Sequence, residues 1–226
     1  NFESNNTVAV GTCAGASSTT SNYSTWIGHF AGYANTTGDT NTVLGNVAMY
    51  SNTDGDNNIA VGHASLFSNI TGDNNTGIGV CSLYTNNAAN NTAVGHHTLK
   101  SNAAGAYNNA FGSAAMQLNT TGACNVAIGS SSLYNNLTGN LNTAVGYLAL
   151  CSNTHGCHNT AVGAQSLFKV TRGDRNVGMG WCALRTLTTA NDNTAIGHQA
   201  MQATTNSDNV AVGACAMHDN VGGEAN

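Results

Sequence analysis

The motif Asn-Thr-Ala-Val-Gly, or a near copy of it, recurs along the whole chain, and repetition at a fixed interval restricts the possible folds more than any other feature. The glycines that close the copies are Gly11, Gly28, Gly45, Gly62, Gly79, Gly95, Gly112, Gly129, Gly146, Gly163, Gly180, Gly197 and Gly213. They stand 17 residues apart in ten cases and 16 in two, Gly79 to Gly95 and Gly197 to Gly213. Both deletions align with the polar stretch between motifs, where a loop absorbs them. Thirteen copies fill residues 1–226, so one repeat domain without an internal boundary is expected.

Each position of the repeat, counted from its marker glycine, has its own chemistry. The residue before the glycine is apolar in all copies, from Val10 and Ile27 to Ile196 and Val212, and a buried column is expected there. Four places after the glycine stand Met49, Leu66, Leu83, Leu99, Met116, Leu133, Leu150, Leu167, Leu184, Met201 and Met217, a second buried column that only Gly15 and Gly32 leave. Four places before it come Asn41, Asn58, Asn75, Asn91, Asn108, Asn125, Asn142, Asn159, Asn176, Asn193 and Asn209, with Thr7 and Ser24 in the first two copies.

A period of 17 fits neither a heptad nor helical-hairpin repeats, and the short β-branched motifs favour strands. The expectation is an all-β chain, a parallel β-solenoid (β-roll) of about 13 rungs with a 17-residue repeat. Stacked rungs place like residues about 4.8 Å apart. The asparagines then form a ladder whose amides bond up and down the stack. Gly38, Gly55 and Gly72 lie in the return turn, where a left-handed conformation suits glycine. The segment after the marker, such as Tyr147–Leu150, suits a second strand or a short helical turn, with strand preferred. Strand alternation leaves both faces partly apolar, which fits either lateral association or a monomeric flattened roll.

Asn-Thr-Ala-Val-Gly followed by two variable residues and Ala-Leu or Ser-Leu resembles the head repeats of YadA-like trimeric autotransporter adhesins, and related repeats of phage and viral tail fibres and surface fibre proteins. The resemblance covers Thr7 to Met217. It implies an extracellular or cell-surface left-handed β-roll, often a homotrimer, acting as adhesin head or fibre shaft, with a host or cell surface, or glycans, as partner. The repeat here is about three residues longer than the usual adhesin head, and the chain shows no coiled-coil stalk or membrane anchor. Because Asn226 falls where the next rung's ladder asparagine belongs, head-to-tail stacking into a filament is a second expectation, beside a longer repeat chain.

Only 7% of residues are charged and the net charge is -5, which leaves five Lys and Arg, too few for nucleic-acid recognition. No apolar run suits membrane insertion. No catalytic motif, cofactor site or metal site is expected. His29, His63, His96 and His198 share the column after the glycine but occur singly on non-adjacent rungs. Cys13, Cys81, Cys182 and Cys215 share the next column, as small buried residues, and Cys151 with Cys157 forms the one plausible disulfide among seven cysteines. Arg172-Gly173-Asp174 matches a cell-adhesion tripeptide yet occupies ordinary turn columns. Trp26, Phe30, Trp181 and Arg185 break the pattern and are candidates for a binding patch or for filling the stack.

Glycosylation sequons occur at Asn5, Asn22, Asn35, Asn69, Asn74, Asn90, Asn119 and Asn136. Asn35, Asn69, Asn119 and Asn136 share one column, expected on an outer loop. Ice binding is the remaining alternative, because Thr25, Thr42, Thr76, Thr92, Thr143, Thr160 and Thr194 share a column. Against it stand the interruption of that column by Val, Ile and Asn and its partner on the same face, an aliphatic column expected to be buried rather than a second threonine.

Overall fold

The computed structural model describes residues 6–219. It is all β, a parallel β-solenoid of three-residue strands that follow the 17-residue period. Two compact units divide the chain, Asn1–Ser113 and Ala114–Asn226. The first holds β1 (Val8–Val10), β2 (Thr25–Ile27), β3 (Thr42–Leu44), β4 (Ile59–Val61), β5 (Thr76–Ile78), β6 (Thr92–Val94) and β7 (Asn109–Phe111). The second holds β8 (Val126–Ile128), β9 (Thr143–Val145), β10 (Thr160–Val162), β11 (Val177–Met179), β12 (Thr194–Ile196) and β13 (Val210–Val212). Within each unit successive strands pair parallel without slippage: Thr42, Val43 and Leu44 lie beside Ile59, Ala60 and Val61, and Thr143, Ala144 and Val145 beside Thr160, Ala161 and Val162.

The structure reverses the expected sidedness of the strands. The column before the marker glycine is on the surface, with Val10 56%, Leu44 47% and Ile128 43% exposed. Inside lie its neighbour, chiefly alanine (Ala60, Ala93, Ala144, Ala161), and the ladder asparagine. The reason is thickness. Leu66, Leu83, Leu150 and Leu167 already fill the narrow interior from the opposite wall, so in those rungs the strand contributes only a methyl group or none; β2 and β3 differ, with Trp26 and Val43 buried at this position.

The segment after the glycine is neither strand nor helix but a turn in which the second and fourth residues are left-handed, as in Ala64 (φ 53°) and Leu66 (φ 51°). Left-handed backbone costs an L residue about 1–2 kcal/mol. Bonds to both neighbouring rungs offset that cost: the Ala64 N–H donates back to the Asn46 carbonyl at 3.0 Å and the Leu66 N–H forward to that of Ser82 at 2.9 Å. The return-turn glycines Gly38, Gly55 and Gly72 are not left-handed, contrary to expectation. Space demands them, because a Cβ on Gly38 would come within 2.5 Å of the Gly55 carbonyl oxygen and 2.6 Å of Asn35 Oδ1.

One substitution group departs from the repeat and is compensated. Trp26 takes an alanine position in β2 and is fully buried. Gly15 and Gly32, in place of the usual Leu or Met, leave the room: a Cβ on Gly32 would lie 2.1 Å from the Trp26 ring and one on Gly15 2.9 Å from it. Trp26 therefore fills the stack and forms no binding patch.

Candidate functional site: buried amide ladders and an uncharged strand face

Most of the interior polar chemistry is directed from rung to rung. In the expected ladder, each asparagine Oδ1 accepts the main-chain N–H of the next rung's asparagine, as from Asn58 to Asn41, Asn75 to Asn58 and Asn159 to Asn142, each at 2.9 Å. Its Nδ2 donates to a turn carbonyl, Asn41 to Gly55 at 2.8 Å and Asn58 to Gly72 at 2.9 Å. Bonding here is largely side chain to backbone; direct amide-to-amide bonds in this column join Asn176 to Asn159, Asn193 to Asn176 and Asn209 to Asn193, at 3.1, 3.2 and 3.1 Å.

A second ladder, absent from the sequence expectations, does pair amide with amide. Asn52 Nδ2 donates to Asn35 Oδ1, Asn69 to Asn52, Asn86 to Asn69 and Asn102 to Asn86 in the first unit, and Asn136 to Asn119 and Asn153 to Asn136 in the second. Most also close their own turn, as Asn69 Nδ2 does on the Gly72 carbonyl at 2.9 Å. These residues include four of the sequons. Asn35, Asn69, Asn119 and Asn136 are fully buried, so the outer-loop placement is corrected. Expression in a glycosylating host is expected to leave all four bare in the folded protein, as peptide mass mapping would show; Asn74 is exposed, Asn22 and Asn90 are half-buried, and Asn5 lies outside the described residues.

A third column takes up the turn carboxylates. Asp56 Oδ1 accepts the Asp39 N–H at 2.7 Å and Asp73 Oδ1 the Asp56 N–H at 2.8 Å. Asp174, the acid of Arg172-Gly173-Asp174, accepts the Cys157 N–H at 2.7 Å in the same way, while Gly173 is buried. The tripeptide is therefore part of the ladder chemistry. Arg175, the next residue, forms an exposed fork with Asp192 through Nε and a second nitrogen at 2.7 and 2.8 Å.

The expected disulfide is not formed: Cys151 and Cys157 are free thiols, as are the other five cysteines. Cys151 is buried, whereas Cys157 Sγ occupies the turn-acid column and accepts the Asn140 N–H at 3.3 Å. In the shared cysteine column Cys182 is buried, but Cys13 and Cys215 are exposed, which corrects their expected burial. Burial raises the Cys151 thiol pKa and so lowers its thiolate fraction at any given pH. Alkylation of the native protein is expected to label Cys13, Cys124 and Cys215 readily and Cys151 only on unfolding, with seven thiols counted in denaturant without reductant.

Among the described residues no group of three or more His, Cys, Asp or Glu side chains is placed to hold a metal ion. His29 lies 3.2 Å from an Asn46 amide nitrogen, and His198 stacks on Trp181 with ring centroids 5.0 Å apart. Arg185 donates to Gln165 at 3.1 Å and lies over the Phe168 ring. Tyr33, Tyr50, Phe67 and Tyr84 stack in successive rungs at 5.1, 5.3 and 5.0 Å, an independent gauge of rung spacing. Their faces cover one another.

All described Lys, Arg and Asp residues lie between five and twelve residues after a marker glycine, on the turn side. The outward strand columns carry none. Comparison with known proteins finds no family model that matches this chain and no curated protein similar to it.

Proposed function

We propose that the chain is a structural segment of an extracellular fibre, shaft or adhesin head, whose task is to hold a repeating surface in register. One observation carries this reading: nearly every buried amide is committed to the adjoining rung. Such a stack extends by adding rungs, because each rung offers the next the same backbone donors and acceptors. A second copy stacked head to tail continues it through the same backbone pairing. The tail-fibre shaft of a phage or virus is the same architecture in another setting, and placement outside the cell rests on the resemblance to adhesin repeats.

Negative-stain microscopy over a concentration series tests the assembly. Rods that lengthen with concentration support head-to-tail stacking; rods of one fixed length at every concentration contradict it.

A further inference from the structure

We infer that the outward strand face of each unit binds ice. Its two columns are the residues three before and one before each marker glycine, exemplified by Thr76 and Ile78, Thr92 and Val94 in the first unit, and Thr143 and Val145, Thr160 and Val162 in the second. Of the two objections from sequence, burial of the aliphatic column is removed, because that column is on the surface; the other stands, since Val8, Ile59, Asn109, Val126, Val177 and Val210 take the threonine position in their rungs.

Three observations identify the ligand. First, the hydroxyls of Thr25, Thr42, Thr76, Thr92, Thr143, Thr160 and Thr194 make no hydrogen bond among the described residues, whereas turn threonines such as Thr36, Thr120 and Thr154 donate theirs to the next rung. The strand hydroxyls are left for solvent. Second, neither column carries a charge, so the surface suits a neutral hydrogen-bonding partner. Third, unshifted pairing sets neighbours within a column about 4.8 Å apart across the strands and the two columns about 6.6 Å apart along each strand, with threonines on adjacent strands at Thr25 and Thr42, Thr76 and Thr92, and Thr143 and Thr160. Methyl groups restrict the orientations of first-layer water, and interspersed hydroxyls fix its position as donors and acceptors. A ligand with its own lattice gains from these rungs together.

A second copy of the chain is the competing occupant. Protein interfaces draw most of their energy from aromatic and arginine anchors. These two columns offer a single described aromatic that is exposed, Phe111, and burying the threonines without partners would leave each hydroxyl desolvated and unpaired. A crystalline polysaccharide needs open aromatic faces, and the stacked rings of Tyr33, Tyr50, Phe67 and Tyr84 present edges instead.

The test is ice-shaping microscopy and thermal hysteresis on the full chain, with Thr76→Lys/Thr160→Lys as the face variant and Thr121→Lys in the turn as control. Circular dichroism checks folding, and Thr76→Tyr/Thr160→Tyr replaces the lysine variant if that misfolds. The inference predicts faceted crystals and a hysteresis gap for the parent and control, reduced to the buffer value in the face variant. A parent without hysteresis overturns it, as does a face variant with the full gap. Sedimentation showing a dimer that the face variant dissociates assigns the face to a second copy and also overturns it. None of these outcomes depends on head-to-tail assembly.

Discussion

Trp26→Ala is expected to destabilise the protein by about 3–5 kcal/mol, the range for removing a fully buried large aromatic. The chain offers a specific rescue. With the indole gone, Gly15→Leu and Gly32→Leu restore the residue type that the same column carries in the other described rungs, and both glycines already have the left-handed φ of those leucines, 58° and 59°. The triple variant exchanges one volume for another and should return to within about 1.5 kcal/mol of the parent. It also removes Trp26 Nε1, a buried donor without a partner. Gly32→Leu alone, with Trp26 present, drives a side chain into the ring and should be the least stable of the set. Urea denaturation of the four proteins measures the pattern; a triple variant no more stable than Trp26→Ala would refute the compensation.

The second large effect concerns where an amide is deleted. Asn69→Val removes bonds to Asn52, Gly72 and Asn86. It leaves Asn52 Oδ1 buried without a donor, although the Gly72 carbonyl keeps Asn58 and Asn86 keeps Ala88. Asn153→Val also removes a ladder amide, but Asn153 stands beside Val170, and its Oδ1 already lacks a partner. That change moves an existing ladder end one rung: one orphaned acceptor disappears and another, Asn136 Oδ1, is created. Asn69→Val should therefore cost about 1–3 kcal/mol more than Asn153→Val, the price of one extra buried unsatisfied group. Equal losses in thermal or urea unfolding would mean that the amides act independently.

The repeat, its period, the parallel pairing and the expected asparagine ladder were legible because each depends on residue identity recurring at a fixed interval. Which strand face is inside was not legible in the same way. Bulk pointed to Val61, Ile78 and Val145, yet the space beneath a strand depends on how far off the opposite wall lies, a tertiary quantity. The second ladder was hidden by the sequon reading of Asn35, Asn69, Asn119 and Asn136. A signal was present: Asn52, Asn86, Asn102 and Asn153 hold the same column without the Ser or Thr that a sequon needs, so the asparagine repeats for its own sake. Its burial follows from its turn, where Asn69 reaches the carbonyl three residues on. The left-handed leucines could not be anticipated, since local preference opposes them and only the rung-to-rung bonds hold them.

Hydrogen–deuterium exchange with residue-level resolution tests the central claim, that bonding between adjacent rungs holds every rung alike. The N–H groups of Thr42, Gly45, Met49 and Ser51 donate to adjoining rungs, and their equivalents recur in rung after rung. The account predicts slow exchange at these positions with the 17-residue period in both units. Protection confined to one segment, or without that period, would contradict it.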